Sequence, residues 1–335
     1  MRSALLRPHA WSRWYGVGAL TAVLLAGCAT DSDDVSAAGS AVAPLGRTVS
    51  VAPYVDVTFH NRPVLAEVAR ATGHDDFVLS FILAGEGGCN PSWGGTLPLD
   101  DAALLADVAA LMLAGGEVVV ASGGAHGPYL ENACSTATEL AGAYRAALDA
   151  VGSNALDVDI EGQVPADVVT EALAELQRER ETAVTLTLQV QDESGLTAQA
   201  VDLLHVAADS ELDVTVNAMV MNFDPEGEWA DSLVPTAQAT VEQMGEVWPD
   251  TSSEALYRRL GVTLMIGRND TGVVTTISDV QRVLEHARAN NIGFLGFWSL
   301  ARDNGGCPGQ EAASSECSGL DQAPYEFTKL FSGQN

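Results

Sequence analysis

From Ser50 onward the chain alternates between two kinds of segment, and that alternation limits the available folds more than any other feature. The apolar runs "VSVAPYVDVT", "FVLSFIL", "EVVVASGG", "LDVDIEG", "AVTLTLQV", "DVTVNAMVMNF", "GVTLMIG" and "IGFLGFWSL" have the length of buried strands. Between them, "RPVLAEVARAT", "LDDAALLADVAALMLA", "TATELAGAYRAALDAV", "PADVVTEALAELQRER", "TAQAVDLLHVAAD", "PTAQATVEQMGEVW" and "ISDVQRVLEHARAN" carry apolar residues at helical spacing. A last such stretch, "APYEFTKLF", closes the chain. Eight strands alternating with eight helices match a (β/α)8 TIM barrel, about 250 residues in its typical form. A doubly wound sheet would use fewer strands and carry a GxGxxG phosphate loop after the first, which is absent there. The expected fold class is α/β, a single (β/α)8 barrel over residues 50–335.

One strand is chemically unusual. In "ALDVDIEG", Asp157, Asp159 and Glu161 alternate with Leu156, Val158 and Ile160. Successive strand side chains point to opposite faces, so the three carboxyls share one face. In a barrel the aliphatic face meets the helices and the acidic face lines the interior. Glu161 then stands nearest the C-terminal strand end, where barrel active sites lie. Unpaired charge is costly in so poorly solvated a place, and an arrangement that accepts the cost points to chemistry.

Three chemistries use such a ladder. A hard metal site needs further oxygen ligands, usually from a second acidic strand, and none is present. Opposed carboxylates for glycoside hydrolysis need an acid and a nucleophile or base across the sugar. Asp56 on strand one and Asp270 after strand seven are the available partners for that scheme. The third option is one acid, tuned by its neighbours, with the substrate supplying its own nucleophile.

Composition narrows the setting. With 47% hydrophobic residues the chain can bury a large core, and its formal charge of -29 repels nucleic acid. The N-terminus reads as a targeting segment, with Arg2, Arg7 and Arg13 before the apolar "VGALTAVLLAG", too short to span a bilayer. It ends at Leu25-Ala26-Gly27-Cys28, which resembles a bacterial lipobox. Residues 1–27 are therefore expected to be a lipoprotein signal peptide, Cys28 the lipidated residue, and 28–49 a flexible tether. The expected location is the bacterial cell surface, lipid-anchored, or secreted. Cys89, Cys134, Cys307 and Cys317 then form an even set in an exported chain, with three possible pairings. The short loop favours Cys307 with Cys317, leaving Cys89 with Cys134. No CxxC is present and the histidines are scattered, so neither a metal nor another cofactor is expected. The chain is expected to act as a monomer.

The residues also carry a family resemblance. "NALDVDIEG" resembles the DxxDxDxE signature of glycoside hydrolase family 18, and "APYVDVT", "CNPSWGG", "ASGGAHG", "GVTLMIGRND" and "GFWSLARD" resemble other motifs of its bacterial chitinase branch. Similarity runs from Ala52 to the C-terminus. The resemblance implies that Glu161 protonates the glycosidic oxygen while the 2-acetamido group of the sugar in subsite -1 attacks the anomeric carbon. It implies that Asp159 orients that group, that Asp157 shares a proton with Asp159, and that Trp298 is the floor under the sugar. Tyr54 and Ser122, the latter from the SxGG-like "ASGG", are further candidates for the subsite. On strand six, where the family commonly reads MxYD or MxMD, this chain has Met219-Val220-Met221-Asn222. Met219, Met221 and Asn222 are thus expected to line the site, with the Asn222 amide holding the acetamido group. Asn154 and Ala155 replace the first Asp and the Gly of the signature, and Gln189 stands where the branch usually has proline. Trp93 is either a stacking platform or a neighbour of the Cys89–Cys134 bridge. The expected partner is chitin or chito-oligosaccharide, cleaved with retention. The alternatives are an endo-β-N-acetylglucosaminidase and a catalytically weak sugar-binding surface lipoprotein.

Overall fold

The computed structural model describes residues 50–333, so the leader, Cys28 and the tether lie outside the described residues. Eight strands build the barrel: β1 (Val51–Asp56), β2 (Asp76–Ala84), β3 (Glu117–Gly123), β4 (Ala155–Ile160), β5 (Ala183–Asp192), β6 (Val214–Val220), β7 (Leu260–Met265) and β8 (Phe294–Trp298). Each pairs in parallel with the next, and β8 pairs with β1, so the sheet has no open edge. The helices are α1 (Leu65–Thr72), α2 (Ala102–Leu113), α3 (Ala137–Val151), α4 (Ala166–Arg180), α5 (Ala198–Asp209), α6 (Trp229–Val247), α7 (Ile277–Asn290) and α8 (Glu326–Phe331).

The strand alternation sorts the core into two parts. Leu156, Val158 and Ile160 join the large cluster between barrel and helices, with Leu140 and Tyr144 of α3 and Leu173 of α4. Ala52, Tyr54, Val78, Val119, Ala121 and Phe294 form a smaller cluster inside the barrel. Helix starts follow local capping chemistry: Asp101, Thr136 and Thr197 each accept from a first-turn amide, and Thr276 with Asp279 forms a full capping box.

The elements depart from expectation in a few places. Helix α6 begins at Trp229, ahead of Pro235, which the sequence suggested as its first turn. Trp229 and Leu233 explain the longer helix. Both are buried, and Trp229 packs on Phe223 with ring centroids 4.8 Å apart. An extra helix, Ser253–Arg259, precedes β7, capped by the Ser252 hydroxyl. Strand β6 stops at Val220, so Met221 and Asn222 lie beyond it, with Asn222 in the left-handed region at φ 59. Cys89–Cys134 and Cys307–Cys317 are both disulfides, with Cα atoms 4.6 and 6.0 Å apart. The first ties the loop after β2 to the end of the short helix Leu130–Ala133. Trp93 is wholly buried in the main core, so it cannot be a surface stacking platform.

Candidate active site

A cavity of about 550 Å³ opens at the C-terminal end of the barrel, lined by Asp159, Glu161, Met219, Met221, Asn222 and Trp298 among others. The acidic face of β4 forms its wall as the strand period requires. Asp157 is deepest and 1% exposed, Asp159 is 4% exposed, and Glu161, just past the strand, is partly open.

Asp157 is held by hydroxyls. Tyr54 Oη donates to its Oδ2 and Thr187 Oγ1 to its Oδ1, each at 2.6 Å. Asn217 of β6 extends the network, its Nδ2 lying 2.9 Å from Thr187 Oγ1 and 2.8 Å from Thr263 Oγ1. Five strands thus contribute to one buried polar layer. Tyr54 is therefore a support for the deepest acid, while also lining the cavity. The sequence reading missed Thr187, Asn217 and Thr263. Their only signal was a polar residue repeated at inward positions of otherwise apolar strands.

Both oxygens of Asp157 accept a hydroxyl, from Tyr54 and Thr187. Asp159 Oδ1 is buried without any partner. Burial pushes Asp159 far above the usual carboxylate range, and the charges of Glu161, Asp157 and Glu131 push the same way. Glu161 is also raised, chiefly by burial, while Gln189 and His126 draw it down and Asp270 pushes it up. Gln189 Nε2 lies 3.5 Å from Glu161 Oε2, which gives the residue at the usual proline position a contact with the outermost acid.

The expectation for Ser122 is overturned. In the register Ala121 pairs with Asp157, Ser122 with Val158 and Gly123 with Asp159. Ser122 therefore shares the outward face of Val158 and does not line the cavity. The first position of SxGG corresponds to Ala121, one residue earlier. The two glycines are still needed. Both have positive φ, Gly124 N donates to the Asp159 carbonyl at 3.0 Å, and a Cβ on Gly123 would sit 2.0 Å from that oxygen.

Trp298 ends β8 at the cavity, stacked on Phe81 with centroids 5.8 Å apart and planes at 19°. Phe81 was not foreseen, because a phenylalanine within an apolar strand reads as core. Met219 and Met221 lie on the opposite wall. Asn222 is less free than expected: its Nδ2 donates to Asp270 Oδ2 at 3.0 Å, and its Oδ1 accepts from Asp270 N at 2.8 Å. Its amide clasps Asp270, and both residues face the cavity. Asp56, also in the wall, accepts from the Thr58 hydroxyl at 2.6 Å.

A closed parallel barrel with a buried carboxyl ladder at its C-terminal mouth defines a glycosidase-type site. No family model matches the chain. A solved catalytic-site mutant of active domain 2 of the thermostable chitinase from Pyrococcus furiosus, complexed with chito-oligosaccharides, is 32% identical with a TM-score of 0.80. The match covers 86% of this chain and 95% of that one. The "Probable bifunctional chitinase/lysozyme" of Escherichia coli (strain K12) is 30% identical over 309 residues, 84% of this chain and 34% of the relative. Endochitinase 11 of Metarhizium anisopliae is 28% identical over 274 residues, 75% of this chain and 52% of the relative. The chain thus spans between a third and about half of the length of these two curated relatives. It belongs to the chitinases of glycoside hydrolase family 18.

The ladder has a measurable cost. Burial lifts Asp157 from 3.8 to about 6, against the two hydroxyl bonds that lower it. A carboxyl raised in this way supports the fold fully below its unfolded pKa and loses that contribution as pH climbs through the folded value. Stability should therefore fall between 3.8 and about 6. Asp157→Asn, which cannot ionise, should remove part of that fall. Urea unfolding across this pH range measures both; parallel curves for the two proteins would refute the assignment.

Proposed function

We propose that the chain is a chitinase that cleaves β-1,4 N-acetylglucosamine linkages with retention, the substrate's own acetamido group serving as nucleophile. One observation carries the reading: Glu161 is the ladder member open to the cavity, and beside it Asp159 presents a buried oxygen with no partner. Glu161 donates its proton to the glycosidic oxygen as the bond to the anomeric carbon breaks. The acetamido carbonyl oxygen attacks that carbon from the opposite side, giving an oxazolinium ion. Asp159 accepts from the acetamido N–H, an interaction that strengthens as positive charge develops on the nitrogen. Glu161, now ionised, takes a proton from water, which opens the ring at the anomeric carbon and restores the original configuration. The Trp298 face supports the sugar while Met219 and Met221 exclude water beside it. Asn222 acts through Asp270, whose clasped carboxylate is available to sugar hydroxyls.

Support for the substrate comes from the Pyrococcus furiosus chitinase, whose structure is complexed with chito-oligosaccharides. Chitohexaose should be hydrolysed to shorter oligosaccharides, as read by mass. Glu161→Gln should lower turnover about 10²–10⁴-fold while binding survives. Replacing the 2-acetamido group at the cleaved sugar by an amine should abolish cleavage. Tight binding of chitohexaose with no turnover across a broad pH range would instead favour a sugar-binding remnant. Cleavage of N-glycan cores alone would favour the endo-β-N-acetylglucosaminidase alternative.

We further infer that Cys28 is acylated and that residues 28–49 tether the barrel to the bacterial surface. The basis is the sequence of the leader. Native protein should partition into detergent with an acyl mass on Cys28, and Cys28→Ser should not. Unacylated native protein cleaved at another bond would contradict the anchor.

A further inference from the structure

A fourth carboxyl lies behind the ladder, and the proposed reaction does not use it. Glu131 stands on the short helix Leu130–Ala133 and is fully buried. Tyr144 of α3 donates to its Oε1 at 2.6 Å, Ser122 Oγ lies 2.7 Å from the same oxygen, and Oε2 has no partner. Among the described residues no salt bridge reaches it. A glutamine would satisfy both hydroxyls without the cost of a buried charge.

The surroundings accept either protonation state. Ser122 Oγ is also 3.3 Å from the carbonyl of Ile82. With Glu131 ionised, Ser122 and Tyr144 both donate to Oε1. With Oε1 protonated, that proton goes to Ser122 Oγ, and the serine turns its own hydrogen toward Ile82 O. Only hydrogen atoms move.

Little separates this group from the active site. Ser122 is followed by Gly123 and Gly124, which pack on the Asp159 carbonyl and have no side chains to fill the gap. Asp159 is faced by Asp157 and Glu161 from its own segment, by Glu131 across β3, and by the phenols of Tyr54 and Tyr129. Glu131 is the one carboxyl in that set outside the ladder. We propose that Glu131 is a positioning residue of the active site, its charge behind the glycine wall of β3 fixing the protonation of Asp159.

The inference rests on the chitinase reading, and its test separates the two. Glu131→Gln keeps an acceptor for Tyr144 and Ser122 but removes the charge. Asp159, which the reaction uses as an acceptor, should then release its proton more readily, and the acid limb of kcat/KM on chitohexaose should move to lower pH by about 0.5 to 1 unit. Tyr144→Phe, which weakens the charged form of Glu131, should shift the limb in the same direction by less, and serves if the first variant does not fold. Carboxyl ¹³C titration of unliganded protein should show the same displacement at Asp159 without any turnover. Profiles and titrations that superimpose on those of the unmutated protein would overturn the proposal. Absence of hydrolysis by the unmutated protein would count against the chitinase reading, and the ¹³C titration would still decide the role of Glu131.

Discussion

The structure turns on how a barrel tolerates three carboxyls on the inward face of one strand. The cost rises with distance from solvent, and the surroundings change accordingly. Asp157, deepest, is bound by Tyr54 and Thr187 and by the Asn217 layer behind them. Asp159 has an oxygen with no partner, and Glu161 opens to the cavity. The gradient from satisfied to unsatisfied to exposed points each group toward a different task. The rest of the barrel mouth is arranged around it: glycines where β3 crosses the Asp159 carbonyl, and an aromatic stack of Phe81 and Trp298 across the cavity.

The strand-six substitutions illustrate how such a site changes without losing its plan. Where the family pattern suggests an acid, this chain has Asn222, whose left-handed backbone and two-point amide clasp fix Asp270 from the loop after β7. The carboxylate at this wall therefore comes from a different strand end. Asn269 braces the same loop, its Oδ1 accepting from Asn222 N at 3.1 Å and its Nδ2 donating to Met265 and Gly267 carbonyls. The asparagine pair is a scaffold for an acid, and its amides are largely spent on that.

Much of this was legible in the sequence. The repeated strand and helix units and the period of two in "LDVDIEG" sufficed for the barrel, the inward acids and the end of the strand at which they act. The reading failed where one residue decides a face. Placing Ser122 in the SxGG position ignored a shift of one, and in a strand a shift of one turns a side chain from the cavity to the helices. Trp93 stayed open between platform and packed residue, and Phe81 drew no notice, because a large aromatic in a strand or tight loop gives no local sign of whether it is core or wall. Thr187 and Asn217 meet Tyr54 and Asp157 across long stretches of chain, and Glu131 meets Ser122 and Tyr144 only through the fold, so spacing alone could not assign their partners. The start of α6 was misplaced because Pro235 is a strong local signal, and burial of Trp229 outweighed it.

The central claim is that a single acid on β4 acts with the substrate's acetamido group rather than with a second carboxylate such as Asp56 or Asp270. Proton NMR of the first products released from chitohexaose tests it most directly, before mutarotation equilibrates the new reducing end. The account predicts the β-anomer, formed by two successive displacements at the anomeric carbon. An α-anomer as the first product would mean one displacement by water, activated by a second carboxylate, and would contradict it.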